Sequence, residues 1–431
     1  MQEASEVAQH AEPSPHSRSR LPVLRTTRRE WGAVLLIWGL SRLAFYAAAL
    51  YGSWALPEAA AEAARVDVGG PAALALHWRF DAVHYYSIAA GGYNFYFDHP
   101  MSGNDPSVLH AFFPLLPLLL RGAATIMSGL RPPAALPITD AQPVVLLAGV
   151  LLVHGMALLA FWLLFQLARE ETGDVATARR TVLYTAISPL GIFLAIPYTE
   201  ALFIALTTGC FLAARRGQWV RAGLWAAAAS ATRLTGVLLL PALALEIALA
   251  WRRGGLPQPA RGRAIAGLLL APAGLLLFML YQWRYLGDAQ AFLTAQSFWQ
   301  RQRLFPLTTL WHGTLFMVPP WSIDAPDLYA RNLLQTLFTL GFAAVLLASL
   351  SAWRPANVLY GLLLFGVSLS SPLTGAWTMQ SQGRYAMVLF PVYITLARWG
   401  RRPSVHQAIV LVSLPLFGLL AALYARWWYV A

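Results

Sequence analysis

The feature that most restricts this chain is a series of long apolar runs separated by short arginine clusters. A helix needs about 20 consecutive apolar residues to cross a bilayer core, and several runs reach or approach that length. Composition agrees, with 58% of the residues hydrophobic and 12% charged, about half the charge of a soluble domain. The expected fold is an all-α polytopic membrane protein. A transmembrane barrel would instead show short strands of alternating polarity. Net charge is +12, all of the basic residues being arginine. They fall between apolar runs, as the positive-inside rule requires, so nucleic acid is not an expected partner. The absence of lysine hints at a GC-rich genome and so at a bacterial plasma membrane. Cys210 is the one cysteine, which excludes an intrachain disulfide and a cysteine metal site.

Charge also sets the expected topology. Residues 1–30 read as a disordered, basic, cytoplasmic tail, followed by one transmembrane domain over 31–431. A first span at 31–52 is too long for a signal-peptide core and leads outward as an uncleaved anchor. Residues 53–141 form a first external loop with seven acids (Glu58, Glu62, Asp67, Asp81, Asp98, Asp105 and Asp140) against four arginines. Within it 110–130 is apolar but holds Pro114, Pro117 and Arg121. If 110–130 only dips into the surface, the clusters after the runs 142–168, 199–214 and 222–250 all fall inside. The stretch 222–250 has basic flanks, and two half-helices meeting near Arg233-Leu234-Thr235-Gly236 would keep both ends on one side. Such a break is tolerated only where it lines protein or water. Further spans follow at 264–286, 331–352, 356–372, 385–400 and 405–427, with a second large external loop at 287–330. That makes about eleven membrane helices, some short, with the C-terminus outside.

The polar residues that could carry chemistry concentrate on the external side. In Trp78-Arg79-Phe80-Asp81-Ala82-Val83-His84-Tyr85-Tyr86, Asp81, His84, Tyr85 and Ile88 share one face of a predicted helix that Gly91-Gly92 stops. A carboxylate with a histidine one turn on is a candidate general base and its partner. The plainer alternative is that Asp81 only caps the helix. Glu200, in Pro197-Tyr198-Thr199-Glu200, is level with Asp81 and is either part of a site or a favourable acid at a helix start. Arg233 and Arg42 lie in apolar stretches, where arginine costs about 2.5–3.5 kcal/mol, and Glu246 is a possible partner for either. Arg301 and Arg303, and Arg384 within Gln380-Ser381-Gln382-Gly383-Arg384-Tyr385, are external arginines against the charge trend. A lipid phosphate would reward them, though snorkelling to headgroups would also hold them there. Walker, GxGxxG, HExxH and GxSxG patterns are missing, and no soluble part is large enough for a nucleotide sugar.

Four short motifs stand in one order: Arg79-Phe80-Asp81-Ala82-Val83-His84-Tyr85 with Gly92-Tyr93; Phe112-Phe113-Pro114-Leu115-Leu116-Pro117; Pro197-Tyr198-Thr199-Glu200-Ala201-Leu202-Phe203; and Ala231-Thr232-Arg233-Leu234-Thr235-Gly236. Together they resemble the PIG-V mannosyltransferase family over residues 31–250, with a looser match through Gln296, Trp299 and 382–385. Two positions depart from the family pattern: Phe80 stands where a second Trp is common, and Leu234-Thr235 stands before Gly236 in place of Ser-Asn. The resemblance implies a GT-C glycosyltransferase fold with juxtamembrane helices in the first external loop. It implies a polyprenyl-phosphate sugar donor, and a glycan or glycolipid acceptor on the external face. Asp81 then becomes the catalytic carboxylate and Glu200 the second acid, with His84 either orienting Asp81 or contacting the phosphate. Arg79, Tyr85, Arg233, Arg301, Gln382 and Arg384 become candidate substrate-binding residues. The reaction expected is inverting transfer of a hexose, with mannose foremost. A divalent metal is compatible with two nearby carboxylates, and no other cofactor is expected. The rival is a transporter or flippase of a lipid-linked sugar, which would show discontinuous helices in both halves.

Overall fold

The computed structural model describes residues 27–59, 72–98, 105–130, 138–317 and 326–431; most of the expected tail lies outside them. The described residues are helical, and a single isolated bridge pairs Arg301 with Leu373. Among the described residues six helices are long and apolar enough to cross a membrane: Arg28–Ala55, Pro143–Thr172, Leu234–Arg252, Gln258–Leu286, Leu328–Ser349 and Pro403–Ala425. Leu115–Met127 and Pro355–Leu369 are shorter apolar helices. The expected count of about eleven membrane helices is therefore not reached by length and composition. Glu200–Arg215 is an apolar helix of 16 residues, shorter than those six and buried along almost all its length.

The first long helix begins earlier than its apolar run. Thr27 and Glu30 form a reciprocal capping box at Arg28, and the same Glu30 carboxylate accepts from Arg169 at 3.0 Å. Its outer face exposes Leu36, Leu40 and Leu43, a stripe that hydrocarbon solvates and water would not. On the inner face a Cβ at Gly52 would meet Ala422 at 2.5 Å. That close approach seats Arg28–Ala55 against Pro403–Ala425.

The arginine clusters converge at one end of the bundle. Arg215 binds Glu171 at 2.8 Å, Glu246 and Asn357; Arg216 binds Glu170 at 2.6 Å. Arg180 and Arg401 both approach Asp174 at 3.6 Å. The helix Glu200–Arg215 starts at Glu200 and ends in this network, so Glu200 lies about 24 Å away, toward the opposite end. Leu115–Met127 is about 20 Å long against a hydrocarbon core of about 30 Å. Its Arg121 donates to the carbonyls of Ala89 and Ala90 at 2.8 and 3.0 Å, tying it to the helix that carries Asp81.

Candidate active site

Three local irregularities aim side chains into one cavity. At the first, Phe80 adopts φ 52° and ψ −131° immediately before the helix Asp81–Gly91. A positive φ is costly for an aromatic residue. Its ring is held at 5.7, 5.6 and 5.2 Å from those of Tyr424, Trp427 and Tyr429. Phe80 occupies the N-cap and Asp81 the first helical position, with no side-chain capping bond. The capping reading of Asp81 thus gives way to an ion pair, described next. The helix ends at Gly92, whose φ of 82° suits glycine.

The second irregularity is the break expected in 222–250. Helix Trp219–Ser230 stops, Arg233 is extended, and a 3-10 turn Leu234–Leu238 leads into Leu239–Arg252. Gly236 packs so tightly on the Ala229 backbone that any Cβ would overlap it. At the third, Ser381, with φ 66°, starts the five-residue helix Gln382–Ala386 that carries Arg384 and Tyr385.

These segments enclose a cavity of about 530 Å³, lined among others by Asp81, His84, Tyr85, Glu200, Arg233, Arg301, Arg384 and Tyr385. Asp81, His84 and Tyr85 face it together, as their spacing predicts; Ile88 does not line it. Arg384 is the central cation. It donates from Nη1 to Asp81 Oδ2 at 2.7 Å, and its Nε lies 3.7 Å from Glu200 Oε1. Arg233 Nη1 approaches the same Glu200 oxygen at 3.3 Å. The Glu200 side chain is 1% exposed and that of Asp81 24%. Glu200 is thus a sealed anchor for two arginines, while Asp81 keeps a wet surface. Tyr198 Oη accepts from the Asp81 backbone N–H at 3.1 Å and fixes the start of its helix.

Tyr385 gathers the remaining charge. Its hydroxyl accepts from Arg301 Nη2 at 2.7 Å, and the guanidiniums of Arg233, Arg301 and Arg384 lie 5.4, 5.6 and 5.3 Å from its ring centre. An aromatic face attracts such cations and lets three of them share one wall. The charged lining comprises these three arginines against Asp81 and Glu200, a surplus of one positive charge. His84 adds none at neutral pH, because burial pushes its imidazole down to about 4, partly offset by Asp81.

Several expected residues fall elsewhere. The ion-pair partner of Asp81 is Arg384, with His84 packed on Phe112 at 4.7 Å. Arg79 does not line the cavity; it stacks 4.5 Å from the ring of Trp427, which does. Gln382 is buried and does not line it, and Arg303 is exposed and outside it. Glu246 partners neither Arg42 nor Arg233, since it is bound by Arg215. Arg42 instead donates to the Leu194 carbonyl at 2.5 Å, bracing the segment that leads to Tyr198 and Glu200. Sequence reasoning missed Tyr385, and it missed Trp427 and Tyr429, which return to the cavity after the last long helix. The adjacency of Tyr385 to Arg384 was the available signal for the first; no pattern pointed to the other two.

Among the described residues no three His, Cys, Asp or Glu side chains gather as metal ligands would. Both cavity carboxylates are instead engaged by arginines. This donor set does not fit a divalent ion held by protein alone, and no step below is routed through one.

The described helices thus form an apolar bundle with a charged, half-sealed cavity toward one end. A family model described as mannosyltransferase (PIG-V) matches residues 53–290, more than half of the chain. The chain belongs to that family, and its long apolar helices make it an integral membrane protein. Asp81, Glu200 and Arg233 fall within the matched region; Arg301, Arg384 and Tyr385 follow it. No curated protein matches. Similar solved structures include the Archaeoglobus fulgidus oligosaccharyltransferase in its apo form, 14% identical with a TM-score of 0.46, covering 92% of this chain and 56% of that one. Another is the archaeal oligosaccharyltransferase AglB from the same organism, with an inhibitory peptide and a dolichol-phosphate. It is 14% identical with a TM-score of 0.40, covering 91% of this chain and 55% of that one. This chain therefore spans just over half the length of these structures.

Proposed function

We propose that this protein is a glycosyltransferase that moves a hexose, mannose being the expected one, from a polyprenyl-phosphate donor to a hydroxyl of a glycan or glycolipid acceptor. The observation that carries the reading is the charge balance of the cavity. Three guanidiniums face two carboxylates, and a polyprenyl phosphodiester brings one negative charge. As the acceptor oxygen bonds to the anomeric carbon, the bond from that carbon to the phosphate oxygen breaks and its electron pair leaves with the phosphate. The hydroxyl proton passes to Asp81. The phosphate gains one negative charge and Asp81 loses one, so the cavity stays neutral throughout. Preorganised cations aimed at a developing charge are the largest lever such a site has.

The roles follow from exposure. Asp81, with Oδ2 on Arg384 and a quarter of its side chain open to the cavity, serves as the base. Glu200, sealed, holds Arg233 and Arg384 for the leaving phosphate. Attack and departure on opposite faces of the ring give inversion, by analogy with inverting hydrolysis. The distance of Glu200 from the arginine network supports an external site with the N-terminus cytoplasmic. The flippase alternative would use the same arginines, but membership of a transferase family favours bond-making chemistry.

The test is transfer in lipid. Purified protein receives a polyprenyl phosphate bearing tritiated mannose and an acceptor pool extracted from native membranes. Label moving to a new species supports the reading. No movement with any polyprenyl-phosphate sugar overturns it, and flipping of the same labelled lipid would then establish the alternative.

A further inference from the structure

A second cavity, of about 430 Å³, adjoins the first. It shares Trp299, Leu373, Gln380 and Tyr429 with the reaction cavity, so these residues form the partition between them. Contacts on several sides hold the partition. Tyr429 Oη is hydrogen-bonded to Ser381 Oγ at 2.8 Å, and the Trp299 ring is wedged between Phe112 at 5.8 Å and Phe298 at 5.2 Å. Leu373 is bridged to Arg301, and its carbonyl accepts from Gln302 at 3.2 Å. The remaining lining alternates ring faces with amides and hydroxyls: Phe298 and Trp377 beside Gln300, Thr374 and Arg331. Trp377 presents its ring 4.9 Å from the Arg331 guanidinium, a cation–π contact.

This lining is too polar for an isoprenoid chain. Flat aromatic faces that receive C–H groups, bordered by side chains that exchange hydrogen bonds with hydroxyls, suit a pyranose ring. We infer that the second cavity is a subsite for a second sugar unit of the acceptor, the ring next to the one whose hydroxyl is glycosylated. The inference rests on the transferase reading of the first cavity and deepens it. The acceptor class becomes a glycan of at least two sugars, and a hydroxylated lipid without sugar is disfavoured. The partition sets the register: one sugar sits on the reaction side of Trp299 and Tyr429, and its neighbour sits on the Trp377 side. Phe298 and Trp377 are exposed, so truncating them does not open the core.

The test separates the subsite from the chemistry. Full-length protein in lipid nanodiscs is titrated by saturation-transfer NMR with methyl α-mannoside, and with α-linked methyl disaccharides of mannose, glucose and glucosamine. At least one disaccharide is expected to bind about tenfold more tightly than the monosaccharide. Trp377→Ala and Phe298→Ala should each bring that ratio toward one. Equal affinity for one and two sugars across the series, no binding of any, or a ratio unmoved in both variants would overturn the subsite. Label transfer from the polyprenyl-phosphate donor is measured in the same preparation. Transfer without a disaccharide preference sinks the subsite alone, and absence of transfer sinks the transferase reading.

Discussion

Replacing Arg384 with glutamine removes the cation that, among the described residues, reaches both cavity carboxylates. Its Nε lies 3.7 Å from Glu200 and its Nη1 2.7 Å from Asp81. At an effective dielectric of about 20, a pair near 4 Å is worth about 4 kcal/mol of attraction. Water cannot replace it at Glu200, whose side chain is 1% exposed. Removing one partner of a buried pair costs about 3–5 kcal/mol. Arg233 stays within 3.3 Å of Glu200, which puts the expected loss for Arg384→Gln at the lower end, about 3 kcal/mol. If the loss comes from stranding Glu200, neutralising that acid should recover part of it. Glu200→Gln with Arg384→Gln should therefore be less damaging than the two single changes added, by about 1–2 kcal/mol. The assay is reversible unfolding in mixed micelles, followed by tryptophan fluorescence across the double-mutant cycle. A single-variant loss below about 1 kcal/mol, typical of exposed pairs, would refute the reasoning. So would strictly additive variants, since the carboxylate would then be hydrated and the ion pairs energetically idle.

Other consequences follow from the same cavity. Tyr385→Phe keeps the ring under three guanidiniums but removes the hydroxyl that accepts from Arg301 at 2.7 Å. The expected result is a KM for the lipid donor raised about tenfold with a smaller change in kcat, in line with about 1.5 kcal/mol for a charge-assisted bond. Steady-state kinetics over donor concentration would check it. His84 is held neutral down to about 4, against about 6.5 when unfolded. Between those values the unfolded chain takes the proton first, so the His84 contribution to stability is present above about 6.5 and falls as pH drops toward 4. Unfolding measured from pH 8 to 4 in wild type and His84→Gln should show a smaller acid loss in the variant. Gly236→Val would drive side-chain atoms into the Ala229 backbone. It should abolish assembly of the broken helix, read as loss of monodisperse protein after extraction from membranes.

The spans were legible because hydrocarbon imposes one rule on every residue of a crossing helix. The break at Arg233–Gly236 was legible for a related reason: basic flanks forbade one span across 222–250. The surroundings of Glu200–Arg215 were not legible, because an apolar run does not state whether lipid or protein surrounds it. Asp81, Glu200 and Arg233 announced themselves as charges out of place, but their partners did not. Arg384 reaches Asp81 across 303 positions of sequence, and no periodicity in a five-residue helix signals that contact. Trp427 read as the end of a span and Tyr429 lay beyond it, yet both line the cavity and pack on Phe80. Polar residues inside membrane proteins thus mark a site one by one, and long-range pairing assigns their tasks.

The most direct measurement compares Asp81→Asn with wild type in two readouts: single-turnover transfer at saturating donor, and equilibrium binding of polyprenyl phosphate without sugar. If Asp81 takes the proton, transfer should fall by about 10²–10⁴-fold. Phosphate binding should be unchanged or tighter, since the variant removes a negative charge from the cavity and frees Arg384. Transfer within about tenfold of wild type, or transfer and phosphate binding lost together, would contradict the account and move the base to another residue.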